Sequence, residues 1–126
     1  MIEGPIELSA WAAAFQPLLI RQGGDVLRSG EVFAERGGRA WLVEAVVIES
    51  GRKQPFYVRI ASQDRGSTSV RVDPHTHPDR TPGVHALVAE IVRSLLAFAP
   101  GARLSRGSVV IPSASANPED SDENRQ

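Results

Sequence analysis

The amino-acid sequence predicts an α+β fold: an antiparallel four-stranded meander with an N-terminal and a C-terminal helix packed on one face. Three observations carry that expectation. Apolar residues recur at helical spacing near both ends, over 11–19 and 84–98. Between them lie four segments in which Val, Ile and aromatic residues alternate with polar ones. Glycine-bearing turns divide those segments, as hairpins require.

The first helix is expected over 9–22, with Ser9 as N-cap and Trp11, Ala14, Phe15, Leu18 and Leu19 on one side. Pro17 removes a donor and should kink or restart it, and Gly23-Gly24 should end it. In GEVFAERGGRAWLVEAVVIE, Gly37-Gly38 reads as a two-residue turn, pairing Arg36 with Arg39, Ala34 with Trp41 and Val32 with Val43. The next link, ESGRKQ, reads as a looser loop, with Pro55 where the third strand begins. Asp64-Arg65-Gly66, taken as a three-residue loop with Gly66 left-handed, pairs Ile60 with Val70 and Val58 with Val72. A two-residue loop would set Ile60 against Arg71, and a one-residue slip swaps faces, so the longer loop is preferred.

Setting Val47 opposite Phe56 completes one register. One face then collects Val32, Ala34, Trp41, Val43, Ala45, Val47, Phe56, Val58, Ile60, Val70 and Val72, which makes it the core face. The second helix is expected from Thr81, its N-cap, with Pro82 in the first turn. Val84, Leu87, Val88, Ile91, Leu95 and Phe98 form its apolar side, and Pro100-Gly101 stops it. SVVIP (108–112) is available as a fifth, C-terminal strand.

A chain of 126 residues that is 41% apolar and 23% charged fits one globular domain with one core, assigned to residues 1–112. The remaining 113–126 carry Glu119, Asp120, Asp122 and Glu123 and no aliphatic residue larger than Ala, so this acidic tail is expected to be disordered. Zero cysteines exclude disulfides and Cys-based zinc sites and fit a reducing cytoplasm, the expected location. The longest apolar run, Leu95 to Ala99, is too short to span a bilayer, and no secretory signal is visible, so no membrane role is expected.

The expected register has a second face. Glu31, Glu44, Arg59 and Arg71 fall in one row across it, among Phe33, Leu42, Val46, Ile48 and Tyr57. So many large apolar groups on a solvent face call for a cover: the 104–112 segment, a second copy or another protein. The row itself reads as a solvated ladder, or as an Arg59–Arg71 fork for a carboxylate or phosphate.

All three histidines lie in VDPHTHPDRTPGVH, residues 72–85. His75 and His77 on an extended segment could share a metal with Asp73, Asp79 or His85. Pro74, Pro78 and Pro82 argue instead for a stiff, capping connection into the helix. No G-x-S-x-G elbow, P-loop or G-x-G-x-x-G is present, so no catalytic residue and no cofactor are assigned.

The order helix, antiparallel strands, helix is similar to the double-stranded-RNA-binding topology, in element order only. Such a binder needs bases at the start of its second helix, where this chain has Thr81-Pro82-Gly83-Val84-His85. Residues 1–112 hold thirteen bases against eleven acids, too weak an excess for a phosphate-driven interface. The expectation is a small non-enzymatic binding domain that uses its outer sheet face on a protein partner or on itself, as a homo-oligomer. The alternative is an anion or nucleic-acid module using Arg59 and Arg71, and the third reading is a small metal- or His-dependent enzyme using His75 and His77.

Overall fold

The computed structural model describes residues 1–63 and 66–105. Their order is β1 (Ile2–Glu3), α1 (Leu8–Ala14), β2 (Leu19–Gln22), β3 (Asp25–Ala34), β4 (Ala40–Glu49), β5 (Arg52–Gln63), β6 (Ser67–Val72), α2 (Pro82–Phe98) and β7 (Arg103–Leu104). The class is α+β with an antiparallel sheet, but the sheet has seven strands, in the order β2-β3-β4-β5-β6-β1-β7. The four-stranded meander of the sequence reading is its centre, and three short strands extend both of its edges. The proposed strand at 108–112 and the acidic tail lie outside the described residues.

The largest correction is at the N-terminus. The helix spans only Leu8–Ala14, its N-cap is Glu7 rather than Ser9, and Phe15 is already extended. Pro17 forbids the ordinary helical donor, and the residue before a proline is pushed out of the helical region. The chain therefore does not restart as a helix: Leu19–Gln22 pairs as β2 along Asp25–Arg28. Gly23-Gly24 is the two-residue turn of that hairpin, with Gly23 at φ +60°.

Two more turns differ from expectation. Gly38 donates to the Glu35 carbonyl and Glu35 donates to the Ala40 carbonyl, so Arg36–Arg39 form a four-residue loop and Arg36 does not pair with Arg39. Ala34↔Trp41 and Val32↔Val43 survive, because the change is confined to the tip. ESGRKQ is not a loose loop: Glu49 pairs with Arg52 across Ser50-Gly51, both at positive φ (+52° and +76°), the signature of a type I′ turn. β5 thus begins three residues before Pro55, and Phe56 faces Ala45 while Val47 faces Gln54. The shift is by two residues, so every side chain keeps its predicted face. Pro55 is tolerated because β6 pairs only with Val58–Gln63, and no ladder donor is needed on that side of β5.

Ser50 is the single non-glycine residue at positive φ among the described residues. Its N–H donates to Asp25 Oδ1 at 3.1 Å, a backbone contact that any residue could make. Ser50→Asn is expected to raise the unfolding free energy by up to about 1 kcal/mol, since asparagine tolerates the left-handed region better. Urea titration with an unchanged slope checks this, and no gain would mean that the turn is not strained.

The core lies between one face of the sheet and both helices. Val43, Ala45, Val47, Phe56, Val58, Ile60 and Val70 are buried there with Trp11 and Leu8 of α1 and Val84, Leu87, Val88, Ile91 and Leu95 of α2. Val32, Trp41 and Val72 pack against this cluster. Ala34 is exposed, and so is Phe98, at 40%. Leu27 joins the core from a part of β3 that the sequence reading left outside any strand. It can do so because β3 carries a bulge: Ser29 faces Ala45 and Val32 faces Val43, leaving Gly30 and Glu31 opposite Glu44. Without that extra residue, Leu27 and Val32 could not both look inward.

Candidate functional site

The outer face is organised in rows fixed by the register. Phe33, Leu42, Arg59 and Arg71 form one, and Leu19, Arg28, Val46 and Pro55 another. Between them, the bulge residues Gly30 and Glu31 stand beside Glu44, which faces Tyr57. Val26, Ile48 and Lys53 follow on the far side. All nine residues expected on this face therefore share it. The predicted row Glu31–Glu44–Arg59–Arg71 does not exist, because the tight Ser50-Gly51 turn moves Arg59 opposite Leu42. Two of its links remain, Arg59↔Arg71 and, across the bulge, Glu31 beside Glu44, and the link between Glu44 and Arg59 is lost.

Arg59 finds its carboxylate elsewhere. Its Nε and Nη2 donate to the two Glu35 oxygens at 2.9 and 3.2 Å, a bidentate pair. That hydrogen bond holds the Glu35 carboxyl below its ordinary range and raises the Arg59 guanidinium. Arg59 is thereby removed from a fork with Arg71. Glu44 is similarly engaged: its Oε1 accepts the Glu31 N–H at 3.0 Å, and a Cβ on Gly30 would lie 2.6 Å from the same oxygen. A side chain at 30 would displace that carboxylate, which takes up a backbone donor that the bulge frees from the ladder.

Between the charged Arg28, Glu31, Lys53 and Arg71, this face carries apolar surface. Leu19 and Phe33 are 59% and 46% exposed, and Leu42, Val46, Ile48 and Tyr57 are half-buried. Residues 103–104 do not cover it, since they pair with β1 at the opposite edge of the sheet from β2. A cleft of about 520 Å³ between Arg28, Glu44, Val46, Pro55 and Tyr57 indents the same surface.

The histidine segment has a structural task. β5 outruns β6, and residues 73–79 run along the exposed half of its edge. Asp73 donates its N–H to the Tyr57 carbonyl at 2.8 Å, Thr76 Oγ1 accepts the Tyr57 N–H at 3.4 Å, and Gln54 Oε1 accepts the Asp79 N–H at 2.8 Å. Asp79 also meets Arg52. The segment thus takes the place of a neighbouring strand. His75 points into solvent with its side chain 90% exposed, near Asp73 Oδ1 at 3.5 Å. Among the described residues, no group of three or more His, Asp or Glu side chains is placed to hold a metal.

A second concavity was not anticipated. About 510 Å³ opens between the end of β6, the histidine segment and the first turns of α2, lined by Arg71, His77, Arg80 and His85 around Val72, Val84 and Val88. The clustered histidines were the available signal. That Arg71 and Arg80 join them depends on where β6 stops. No protein-family model, curated protein or solved structure matches this chain. Among the described residues no helix is long and apolar enough to cross a membrane.

Proposed function

We propose that the protein is a binding domain rather than an enzyme, that its outer sheet face is the docking surface, and that the partner is a second copy of the chain. The observation that carries this reading is the apolar stripe of Leu19, Phe33, Leu42, Val46, Ile48 and Tyr57, which no element among the described residues covers. Clustered apolar surface of this kind marks interaction sites in soluble proteins. Charge favours a copy over an unlike partner: Glu31 and Glu44 share the face with Arg28 and Arg71, so a two-fold operation can set carboxylates against guanidinium groups. β2, which begins at Leu19, adds a four-residue edge that pairs with no other strand than β3 among the described residues. A reducing cytoplasm is the compartment that the absence of cysteine fits.

Sedimentation or light scattering tests the proposal. The full chain is expected to be a dimer, and Phe33→Asp and Val46→Asp to be folded monomers with wild-type circular dichroism, as both positions face outward; their melting temperature should lose the concentration dependence that dimerisation confers. A wild-type chain that stays monomeric at high micromolar concentration overturns it. So does a dimer indifferent to both substitutions.

A further inference from the structure

We propose that the concavity between the end of β6 and the start of α2 binds a small organic anion, an apolar body ending in a phosphate or carboxylate. It shares Arg71 with the rim of the docking face but contains none of that face's apolar residues, and it makes a separate claim. Its 510 Å³ is within the range of small-molecule sites, and its composition is of the corresponding kind, apolar walls with a few convergent polar groups. Val72, Val84 and Val88 supply the walls. Arg71 and Arg80 supply the charge, and neither guanidinium has an ion pair or hydrogen bond among the described residues. His77 and His85 add two ring donors or acceptors.

Neighbouring charges decide the sign of the ligand. Other arginines on this side of the molecule already hold carboxylates, Arg52 with Asp79 and Arg59 with Glu35. The one acid lining the pocket, Asp73, is 7% exposed and faces His75. With both lining histidines neutral, two guanidinium groups still stand against one carboxylate. The α2 N-terminus contributes little further, because its first donors are taken: Thr81 Oγ1 accepts from Val84 and Glu49 Oε2 accepts from Gly83. Recognition rests on the side chains. The strand edge offers one more donor. Asp73 turns its N–H toward β5, so strand alternation turns the Val72 N–H the other way. On that side β1 covers only Ser67 and Thr68.

Phenyl phosphate serves as the probe, titrated into the full chain by calorimetry and followed by amide NMR shifts, with inorganic phosphate and benzyl alcohol as partial ligands. Phenyl phosphate is expected to bind, to shift amides around Val72 and Val84–Val88, and to bind more tightly than inorganic phosphate or benzyl alcohol. Arg71→Ser and Arg80→Ser change exposed side chains and should each weaken binding roughly tenfold, the scale of one lost charge-assisted contact. Phe33→Asp should bind as the wild type does, which separates this site from the docking face. No binding at millimolar probe, binding untouched by both arginine substitutions, or inorganic phosphate binding as tightly as phenyl phosphate would each overturn the proposal.

Discussion

Trp11→Ala is expected to lower the unfolding free energy by about 3–5 kcal/mol, the usual cost of truncating a buried aromatic residue. Trp11 is 1% exposed, stacks at a tilt on Phe15 with ring centroids 4.9 Å apart, and donates its indole N–H to Ser94 Oγ at 3.0 Å. α1 has only seven residues and no side-chain cap, too short to persist by its own hydrogen bonds. Its attachment depends on this one side chain and on Leu8. The substitution should therefore also free residues 1–18 to protease before global unfolding. Trp11→Phe, which keeps most of the area but loses the hydrogen bond, should cost about 1–2 kcal/mol. Equal losses for the two variants would mean that packing is not the dominant contribution.

Gly83→Ala should also destabilise, against helix propensity, which favours alanine by up to about 1 kcal/mol. A Cβ at 83 would lie 2.6 Å from Glu49 Oε2 and 2.8 Å from Val47 Cγ1. The carboxylate could swing away, but then the Gly83 N–H loses its acceptor. Val47 is fully buried and cannot yield. The expected net cost is about 1–3 kcal/mol, the range of overpacked cores. A double-mutant cycle apportions it: in a Glu49→Ala background the cost should shrink but not vanish, because Val47 remains. A stabilised Gly83→Ala protein would mean that β4 and α2 are farther apart than described.

The central strands were legible because their information is local. Residues at alternate positions face one way, and Val58, Ile60 and Val70 paired as their spacing demanded, with Gly66 at φ +73° closing the turn. The second helix was legible for the same reason, down to its Thr81 cap, since capping involves only residues three apart. The first helix was over-extended because Leu18, Leu19 and Ile20 suit either a helix side or a strand. Only the neighbouring Leu27 and Arg28 chose the strand.

By itself, the sequence determined which side of each central strand is apolar, since that depends on a period of two and survives any even shift. It also determined the left-handed turns at Gly37-Gly38 and Gly66, where glycine carries the signal, but not the one at Ser50-Gly51, where a serine takes positive φ. Tertiary structure alone decided the bulge at Gly30-Glu31, the pairing of Arg59 with Glu35, and the capping of the β5 edge by residues 73–79. Each of these answers a question that no local pattern contains: which backbone or charged group is left without a neighbour once the adjoining strand has ended.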